Sequence, residues 1–551
     1  MRVKKGQEFT GQVIRMDFPN KGIVQVEEEL VTVKNALPGQ VIRGVVNKKR
    51  GGRAEGRLLE VVTPAACEKK EGVCKHFGTC GGCLNQSFPY EEQLRIKEEQ
   101  VRHLLEPVVT EPFEFEPIQP SPKESEYRNK MEYTFGDEVK EGPLTLGLHK
   151  RGNFYDILTV EDCRITDGDF RLILTATRDF FAEKAIPYFH RGTLIGVLRH
   201  LLVRKAAKTG QILVDLVTST QELERTKECL AEYVSCLQQL PLTGTLTGVL
   251  HTVNDSIADV IRNDGTTLLF GRDYIEEELL GLKFRITPFS FFQTNSLGAE
   301  VLYSKAREYV GETKDATIYD LYSGTGTIAQ MLAPVAKSVT GVEIVEEAVK
   351  AAKENAAYNN LPNCHFLAGD VLKVVDELTE TPDIMVLDPP RDGIHPKAIE
   401  KLINFGCPKI VYISCKASSL ARDLVILQAR GYRVEKVCPV DMFPATANVE
   451  TVVLLSKGMV DNRKVKVDFS LEDMDLSEFK GKATYEQIKV YVLEQTGLKV
   501  SSLYIAQIKK KCGLDVGENF NLPKSENAKQ PKCTPEKEEA IMQAFKHFGI
   551  I

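Results

Sequence analysis

The second half of the chain alternates between short apolar runs and longer segments whose apolar residues recur at helical spacing. From about residue 282, strand-like runs such as ATIYDLY, DIMVLD and KIVYIS are separated by helical patterns such as EEAVKAAKENAAYN. Short apolar runs are typical of strands buried on both faces, and their alternation with helices is typical of a parallel sheet covered by helices. The pattern predicts a doubly wound, Rossmann-like domain over residues 282–457.

The first half has a different pattern. Over residues 1–62, short alternating runs are broken by Gly, Pro and Asn at spacings of roughly ten residues, which predicts a small β-barrel. A Cys- and Gly-rich loop and one helix are predicted over residues 63–110. Mixed strand and helix patterns predict a central α+β domain over residues 111–281. The fold class is therefore multidomain α/β.

The last segment, residues 458–551, begins with charged residues and then shows two short helical patterns, TYEQIKVYVLEQTG and SSLYIAQIKKKCG. Within the first pattern, Thr484 and Gln487 fit a capping box. Gly497 and Gly513 fit the glycines that end helices. The segment is predicted to be a separate helical module, and its sequence does not indicate a role.

Composition favours a soluble protein. The chain has 551 residues, of which 42% are hydrophobic and 27% charged, and it has no apolar run of the ~18 residues that a membrane span needs. The start, MRVKKGQEFTG, lacks the apolar stretch of a signal peptide. We therefore expect a cytoplasmic location, with neither a membrane nor an obligate protein partner.

Charge and cysteine content limit the kinds of ligand that the protein is expected to bind. The net charge of -6 argues against a uniformly basic nucleic-acid binder, but residues 1–62 contain 12 Lys and Arg against 7 Asp and Glu. This locally basic barrel could bind phosphates, although an ordinary solvated surface would give the same count. In a reducing compartment, the 13 cysteines indicate metal binding or catalysis rather than disulfides.

The stretch DLYSGTGTIA follows a predicted strand and opens a helix. Gly324 and Gly326 would let the backbone turn tightly and approach a ligand. Glu343 ends the next strand, where a carboxylate can accept hydrogen bonds from ribose hydroxyls. The same pattern also satisfies the dinucleotide fingerprint, so the loop alone leaves hydride transfer with NAD open.

Three polar residues follow strands of the predicted sheet. In a sheet of order 3-2-1-4-5, Asp320, Asp388 and Cys415 would end strands one, four and five and meet at one rim, where such sheets bind ligands. The two prolines after Asp388 would stiffen a loop suited to holding a planar base. Cys415 is then a candidate nucleophile. The alternative is a small, inert core residue, since cysteine is often buried.

Several motifs in register now resemble a known family. DLYSGTG, LDPPRDGIHP, VYISC and DMFPATANVE, preceded by CKHFGTCGGC, YRNKMEY and FSFFQTN, have the order and approximate spacing of the RNA uracil-5-methyltransferases. The resemblance covers about residues 1–457. It is strongest to the branch that modifies bacterial 23S rRNA.

The resemblance implies the cofactor S-adenosylmethionine and a set of functional residues. Cys415 would be the nucleophile that adds to carbon 6 of uracil, and Glu450 the acceptor of the carbon 5 proton. The helix after Cys415, with Arg422, is expected to raise the thiolate fraction. Asp388 would contact both the cofactor and the uracil. The implied cofactor-binding residues are Gln293, Tyr322, Gly324, Gly326, Glu343, Asp370 and Asp388.

The sequence departs from the family pattern at two places. Lys416 and Ala417 stand where the family commonly has Asn-Pro after the nucleophile, and Asn448 stands where it has His. Neither change removes a reacting group. Both lie close enough to the reacting residues to alter the geometry of the site or the choice of uridine.

Cys74, Cys80 and Cys83 have the spacing C-x5-C-x2-C within a glycine-rich loop. Three thiols this close indicate a metal site, and spacing alone leaves zinc, an iron-sulfur cluster or a metal-free loop open. The resemblance implies a [4Fe-4S] cluster with Cys163 as the fourth ligand. Cys67 is the competing fourth ligand.

The barrel resembles a TRAM domain, which implies an RNA partner. Together with the cysteine loop it favours 23S rRNA over tRNA. Two alternatives remain: a tRNA-directed enzyme with the same chemistry, and a noncatalytic iron-sulfur RNA-binding protein that uses the methyltransferase fold as a scaffold. Only the noncatalytic protein would tolerate replacement of Cys415.

Overall fold

A computed structural model describes residues 3–458, except 51–52, 70–72, 258–260, 312, 376–377 and 379, together with parts of the C-terminal segment: 488–489, 491–492, 496, 498, 500–512 and 533–547. The chain divides into two compact units, Met1–Val460 and Asp461–Ile551. Within the described residues, no helix is long and apolar enough to cross a membrane.

The first unit begins with a closed five-stranded barrel, as the alternating runs predict. Its strand order is β1-β2-β3-β5-β4, with β1 pairing with β4 to close it. Alternating side chains fill the interior, where Val24, Val31, Val33 and Ile42 are fully buried. The strands are β1 (Glu8–Asp17), β2 (Lys21–Val26), β3 (Glu29–Lys34), β4 (Val41–Arg50) and β5 (Arg53–Thr63).

A seven-stranded sheet with helices packed on it follows the cysteine loop. Its strand order is β13-β12-β11-β10-β7-β8-β9, and a separate hairpin, β14-β15, leads out of it. The elements are α1 (Tyr90–Leu105), β6 (Glu114–Phe115), β7 (Lys130–Gly136), β8 (Thr145–Lys150), β9 (Asn153–Leu158), α2 (Gly168–Glu183), β10 (Leu198–Lys205), β11 (Gln211–Thr218), α3 (Leu223–Gln238), β12 (Thr245–Val253), β13 (Thr266–Gly271), β14 (Ile275–Leu279) and β15 (Leu282–Ile286).

The third part is the predicted doubly wound domain. Its eight-stranded sheet has the order β18-β17-β16-β19-β20-β22-β21-β6, so its first five strands have the expected 3-2-1-4-5 order. The elements are α4 (Ser296–Val310), β16 (Thr313–Leu321), α5 (Thr327–Leu332), a 3-10 turn (Ala333–Val335), β17 (Ala336–Glu343), α6 (Glu346–Tyr358), β18 (Cys364–Ala368), α7 (Val371–Val374), β19 (Ile384–Leu387), α8 (Pro396–Asn404), β20 (Lys409–Ser414), α9 (Ala417–Ala429), β21 (Tyr432–Val440) and β22 (Glu450–Lys457).

The last apolar run, VETVVLLS, lies inside this sheet, whereas the sequence suggests that it closes the sheet. β22 pairs antiparallel with both β20 and β21, and the short β6 forms the edge. An antiparallel strand can follow its neighbour through a short connection, whereas a parallel one needs a crossover. The insertion places the first residue of β22, Glu450, beside the end of β20.

In the second unit the structure describes two helices, α10 (Ser502–Lys511) and α11 (Pro535–His547). Their apolar faces meet in a cluster that includes Ile505, Ile541 and Phe545. α10 corresponds to the pattern SSLYIAQIKKKCG. Thr484, Gln487, Gly497 and Gly513, with most of the first helical pattern, lie outside the described residues. The finer division of the chain into five domains stays a prediction.

A buried carboxyl in the central sheet makes its stability depend on pH. Asp215 on β11 is fully buried; Thr252 Oγ1 donates to its Oδ2 at 3.0 Å, and its Oδ1 has no hydrogen-bond partner among the described residues. Burial raises the pKa of Asp215 to about 7. In the unfolded chain this carboxyl ionises near pH 4 (about its reference pKa). Its ionisation therefore lowers the free energy of unfolding as pH rises from the unfolded to the folded pKa.

We expect Asp215→Asn to raise the free energy of unfolding at pH 8 by about 1 to 3 kcal/mol, and by less at pH 4. Urea unfolding followed by circular dichroism at both pH values measures this difference. Asp273→Asn, at an exposed position, is the matched control. An equal pH response in the two variants would contradict the assignment.

Candidate active site

The loop between β16 and α5 has an unusual backbone. Tyr322, Gly324 and Gly326 all adopt left-handed conformations, with φ of 69°, 53° and 71°. A side chain at Gly326 would meet the ring of Phe366, because an added Cβ would lie 2.4 Å from its Cε1. The loop therefore approaches neighbouring groups too closely for any residue but glycine at position 326.

Glu343, at the end of β17, is fixed against this loop. Its carboxylate accepts hydrogen bonds from the Gly324 N–H at 3.0 Å and the Val345 N–H at 2.9 Å, one on each oxygen. Each oxygen keeps a further lone pair that can accept a hydroxyl proton. The geometry is that expected of a carboxylate that binds the hydroxyls of a ribose.

Beneath the loop, two buried polar atoms have no hydrogen-bond partner among the described residues: Asp320 Oδ1 and Ser323 Oγ. The other oxygen of Asp320 accepts from the Ala329 N–H at 2.9 Å. Burial, together with the charge on Asp388, raises the pKa of Asp320 to about 8. Since buried polar atoms are normally paired, these orphans and the close-approach glycine fit a loop that holds a polar ligand.

Gln293 and Asp370 flank the same loop. The Gln293 carbonyl accepts from Asn129 Nδ2 at 2.9 Å, which ties the motif FSFFQTN to YRNKMEY. Its side chain opposes the raised pKa of Tyr303, which burial dominates. Asp370 caps α7 by accepting from the Leu372 N–H at 3.0 Å. Asp370 thus has a capping role in the chain itself, in addition to its predicted contact with a cofactor.

The register of the parallel strands brings three further predicted residues together. β16 aligns with β19, and β19 aligns with β20, so the strands end at one rim. Asp388 follows β19 directly, and Cys415 follows Ser414 at the end of β20. Because Ser414 pairs with Thr451 on the antiparallel β22, Glu450 lies next to Cys415. Glu450 and Asp388 both raise the pKa of Cys415, and Asp388 raises that of Glu450.

Burial dominates the charge state of this group. It raises the pKa of Glu450 to about 8, an effect that Asp388 reinforces and Arg391 opposes. It also raises the pKa of Asp388 to about 7. Such values suit proton transfer near neutral pH, because a base works best when its pKa lies near the working pH.

Comparison with known proteins fits this geometry. The model of the tRNA (uracil-5-)-methyltransferase family matches residues 244–458. An uncharacterized RNA methyltransferase of Clostridium tetani is 48% identical over 457 residues, which are 83% of this chain and 99% of the relative. One of Caldanaerobacter subterraneus subsp. tengcongensis is 48% identical over 454 residues, covering 82% of this chain and 100% of that one.

The chain belongs to the RNA uracil-5-methyltransferase family. Among solved structures, the Pyrococcus abyssi tRNA (uracil-54, C5)-methyltransferase in complex with S-adenosyl-L-homocysteine is similar to it, with a TM-score of 0.62 and 25% identity. The match covers 81% of this chain and 100% of that chain. The protein is therefore an S-adenosylmethionine-dependent RNA methyltransferase.

In this methyltransferase the charged groups that act on the pKa of Cys415 differ from those predicted. Burial, together with Glu450 and Asp388, raises the pKa of Cys415 to about 11. Arg422 does not supply the counter-charge, because its guanidinium hydrogen-bonds Asp423, with one contact at 2.7 Å. The cation that lowers the thiol pKa is Arg391. Proximity of Arg422 in sequence was misleading, since α9 turns its side chain toward a buried carboxylate.

Sequence reasoning also missed three residues that lie near the predicted site residues. Arg391 opposes the raised pKa of both Cys415 and Glu450. Tyr303 on α4 is buried, and Asp388, Glu450 and Asp320 all perturb it. Phe291 is 68% exposed beside the cofactor loop, and its carbonyl accepts from Thr325 Oγ1 at 3.2 Å. Arg391 and Phe291 stand inside recognisable motifs, DPPR and FSFFQTN, whereas Tyr303 lies on an ordinary amphipathic helix.

The departures from the family pattern lie in the two segments that carry the predicted nucleophile and the predicted proton acceptor. Lys416 is the N-cap of α9, and its N–H donates to Ser414 Oγ at 3.2 Å. The Asn448 N–H donates to Thr446 Oγ1, also at 3.2 Å. Both residues thus support local turns through their backbones.

The four predicted metal-binding cysteines lie in one region of the methyltransferase. Cys163 raises the pKa of each of Cys74, Cys80 and Cys83, although burial is the larger cause in every case. Cys80, Cys83 and Cys163 also share one apolar cluster, whereas Cys67 packs against a different one. Among the described residues, no group of three or more His, Cys, Asp or Glu side chains is arranged to hold a metal ion.

We expect Gly326→Ala to weaken S-adenosylmethionine binding about tenfold. The added methyl group would clash with the Phe366 ring and displace the loop, and such overpacking costs ~1 to 3 kcal/mol. Isothermal titration calorimetry measures the affinity. Gly281→Ala is the matched control, since Gly281 has a similar φ of 82° but no neighbour within 4 Å of an added Cβ. Equal losses in the two variants would show that contact with Phe366 is not the cause.

Proposed function

We propose that this methyltransferase methylates carbon 5 of a uridine in 23S rRNA through a covalent adduct between Cys415 and carbon 6 of the uracil. The observation that carries the proposal is the grouping of Cys415, Glu450 and Asp388 at the rim where β19, β20 and β22 meet. A nucleophile and a base beside each other, next to a cofactor loop, are what this chemistry requires.

The first step is addition of the Cys415 thiolate to carbon 6. The thiolate supplies the electron pair of the new sulfur–carbon bond, and the π electron pair of the carbon 5–carbon 6 double bond moves onto carbon 5 as an enolate, which makes carbon 5 nucleophilic. Because the pKa of the free thiol is about 11, the thiol is protonated in the empty site. Positive charge near the sulfur favours the thiolate, and Arg391 is the chain's own source of it.

S-adenosylmethionine, when bound, supplies a methyl group activated by a sulfonium. We propose that Glu343 binds its ribose and that the backbone at Gly324 and Gly326 lies against it. Tyr322 and Gln293 are assigned further contacts with it. Asp370 and Asp388 complete the proposed set. The exposed ring of Phe291 is placed to stack on a base, as aromatic side chains do in many RNA complexes.

Glu450 acts after methylation. Carbon 5 then carries both a hydrogen and the new methyl group, so the adduct cannot break down until a base removes that proton. We assign this step to Glu450, whose pKa of about 8 makes it a stronger base than an ordinary glutamate. The freed electron pair restores the double bond, the sulfur–carbon bond breaks, and the thiolate is released. We assign the contact with the uracil edge to Asp388.

The choice of RNA rests on the front of the chain. The basic five-stranded barrel and the cysteine loop favour 23S rRNA. The second candidate is tRNA, and one observation favours it: the similar P. abyssi structure is a tRNA (uracil-54, C5)-methyltransferase that is covered over its full length. In either RNA the target must be unpaired or flipped out of a helix to reach a buried rim.

We expect 23S rRNA loops that contain 5-fluorouridine to trap a denaturation-stable complex with the protein, provided that S-adenosylmethionine is present. Fluorine at carbon 5 cannot leave as a proton, so the methylated adduct persists. Gel electrophoresis under denaturing conditions detects it. Cys415→Ala should abolish the complex, and Cys407→Ala, at another buried cysteine of the same domain, should retain it.

The same assay with tRNA separates the two substrates. Trapping of tRNA alone would overturn the rRNA assignment and leave the chemistry standing. Absence of a trapped complex with both RNAs, or trapping by Cys415→Ala, would overturn the covalent mechanism.

We further infer that Cys74, Cys80, Cys83 and Cys163 hold a [4Fe-4S] cluster. Four thiols in one region match the ligand set of such a cluster. The His76 N–H donates to Cys74 Sγ and the Gly82 N–H to Cys80 Sγ, both at 3.4 Å. Hydrogen bonds of this kind stabilise thiolate ligands. Methyl transfer needs no electron, so we assign the cluster a structural role.

Protein purified without oxygen should absorb in the visible region and contain iron and sulfide. Cys163→Ser should lose most of this absorbance, and Cys67→Ser should retain it, because Cys67 belongs to a different apolar cluster. Stoichiometric zinc in place of iron, or loss of absorbance only in Cys67→Ser, would contradict the assignment.

A further inference from the structure

The connection between β21 and β22, residues 441–449, is held by contacts from a distant part of the chain. It lies directly before Glu450, whose backbone pairs with Val440 at the other end of the connection. The shape of the connection therefore decides what surrounds the Glu450 side chain. Most of its residues are buried, although a connection of this kind normally lies at the surface.

A fully buried ion pair anchors its first residue. Lys97 on α1 and Asp441 are 1% and 0% exposed, and Lys97 Nζ lies 2.7 Å from Asp441 Oδ1. Lys97 Nζ also donates to the Phe443 carbonyl at 2.9 Å, and the Phe443 N–H donates to Asp441 Oδ1 at 3.0 Å. Buried charges are tolerated only when they are paired and hydrogen-bonded, so this pair fixes where the connection begins.

A second set of contacts holds its middle. The Ala445 N–H donates to Gln93 Oε1 on α1 at 2.7 Å, and the Ala445 carbonyl accepts from the Leu84 N–H at 2.8 Å. Ala445 has a φ of 65°, a left-handed conformation that residues with a Cβ rarely adopt. Such a conformation persists where its surroundings impose it, and here the surroundings are α1 and the end of the cysteine loop.

These contacts join the cysteine loop to the base. Leu84 directly follows Cys83, whose carbonyl accepts a hydrogen bond from Arg151. The Tyr127 hydroxyl adds a further hydrogen bond to the Pro444 carbonyl at 3.0 Å. None of these residues belongs to the proposed reacting group. Lys97, Tyr127 and Gln93, whose side chains contact the connection, each lie more than 300 positions from their partners in it.

We propose that Lys97 and Asp441 are positioning residues, which act through the 441–449 connection to aim Glu450 at carbon 5 of the target uracil. The inference rests on the proposed function of Glu450. A change at Lys97 or Asp441 should therefore affect one step of the reaction more than another. Methyl transfer depends on Cys415 and the cofactor, whereas release of the product also depends on Glu450, so a displaced connection slows release more than methylation.

The test uses the full-length protein and RNA with natural uridine. The variant Lys97→Met with Asp441→Asn removes both charges together, because a single change would leave an unpaired buried charge and unfold the protein. The control is Lys305→Met with Glu116→Gln, which removes another ion pair between the doubly wound domain and an earlier part of the chain, 2.8 Å long and 12% and 13% exposed. Glu450→Gln serves as the reference for blocked release.

Single-turnover reactions with methyl-labelled S-adenosylmethionine are stopped with denaturant and separated into label on free RNA and label on protein-linked RNA. For Lys97→Met/Asp441→Asn we expect formation of labelled adduct within about twofold of wild type and release slowed about tenfold or more, a part of the effect of losing a general base. The control pair should release product at the wild-type rate. A merely structural defect would lower both rates together.

Release at the wild-type rate by the folded double variant would overturn the inference. If that variant does not fold, Gln93→Met decides, since it leaves the ion pair in place and removes the acceptor of the Ala445 N–H, together with a donor to the Phe88 carbonyl: accumulated adduct supports the inference and normal release overturns it. Failure of the proposed function is distinguishable, because then wild-type protein would form no adduct with 5-fluorouridine RNA and Glu450→Gln would accumulate none.

Discussion

The structure of the site depends on the register of three neighbouring parallel strands. Leu321, Leu387 and Tyr412 lie across from one another on β16, β19 and β20, so the residues that follow these strands emerge at the same rim. The backbone hydrogen bonds of the sheet therefore fix the separation of Asp388 and Cys415 before any side chain interacts. Because β22 is inserted antiparallel next to β20, it delivers Glu450 to the same place from the opposite direction.

Bringing these groups to a dry rim has an electrostatic consequence. Burial disfavours every charged form, which raises the pKa of Asp320, Asp388, Glu450 and Cys415 together. The site thus holds its protons until a ligand changes the balance. This arrangement keeps the Cys415 thiol protonated in the empty protein and gives the Glu450 carboxyl a pKa of about 8, which suits the roles proposed for them.

The catalytic domain is also built from distant parts of the chain. β6 adds an edge to its sheet, the Asn129 amide holds the carbonyl of Gln293, and the α1 ion pair reaches the connection before Glu450. The last two contacts bury polar groups that are paired with each other, which makes separate folding of the doubly wound domain costly. The front of the chain therefore supports the structure of the site, in addition to its proposed contact with RNA.

The sequence by itself determined the barrel, the doubly wound sheet with its first five strands in order, and the placement of Asp388 and Cys415 at strand ends, because local periodicity and turn residues encode these features. It also placed Glu343 at the end of the strand after the glycine loop, since the spacing from a glycine loop to the next strand end is a local property. Only the tertiary structure decided that β22 lies inside the sheet, that Arg391 rather than Arg422 acts on the thiol, that Tyr303 lies among the carboxyls, and that Lys97 meets Asp441. These features depend on contacts between residues far apart in the chain, and on how far each group is removed from water, neither of which periodicity can report.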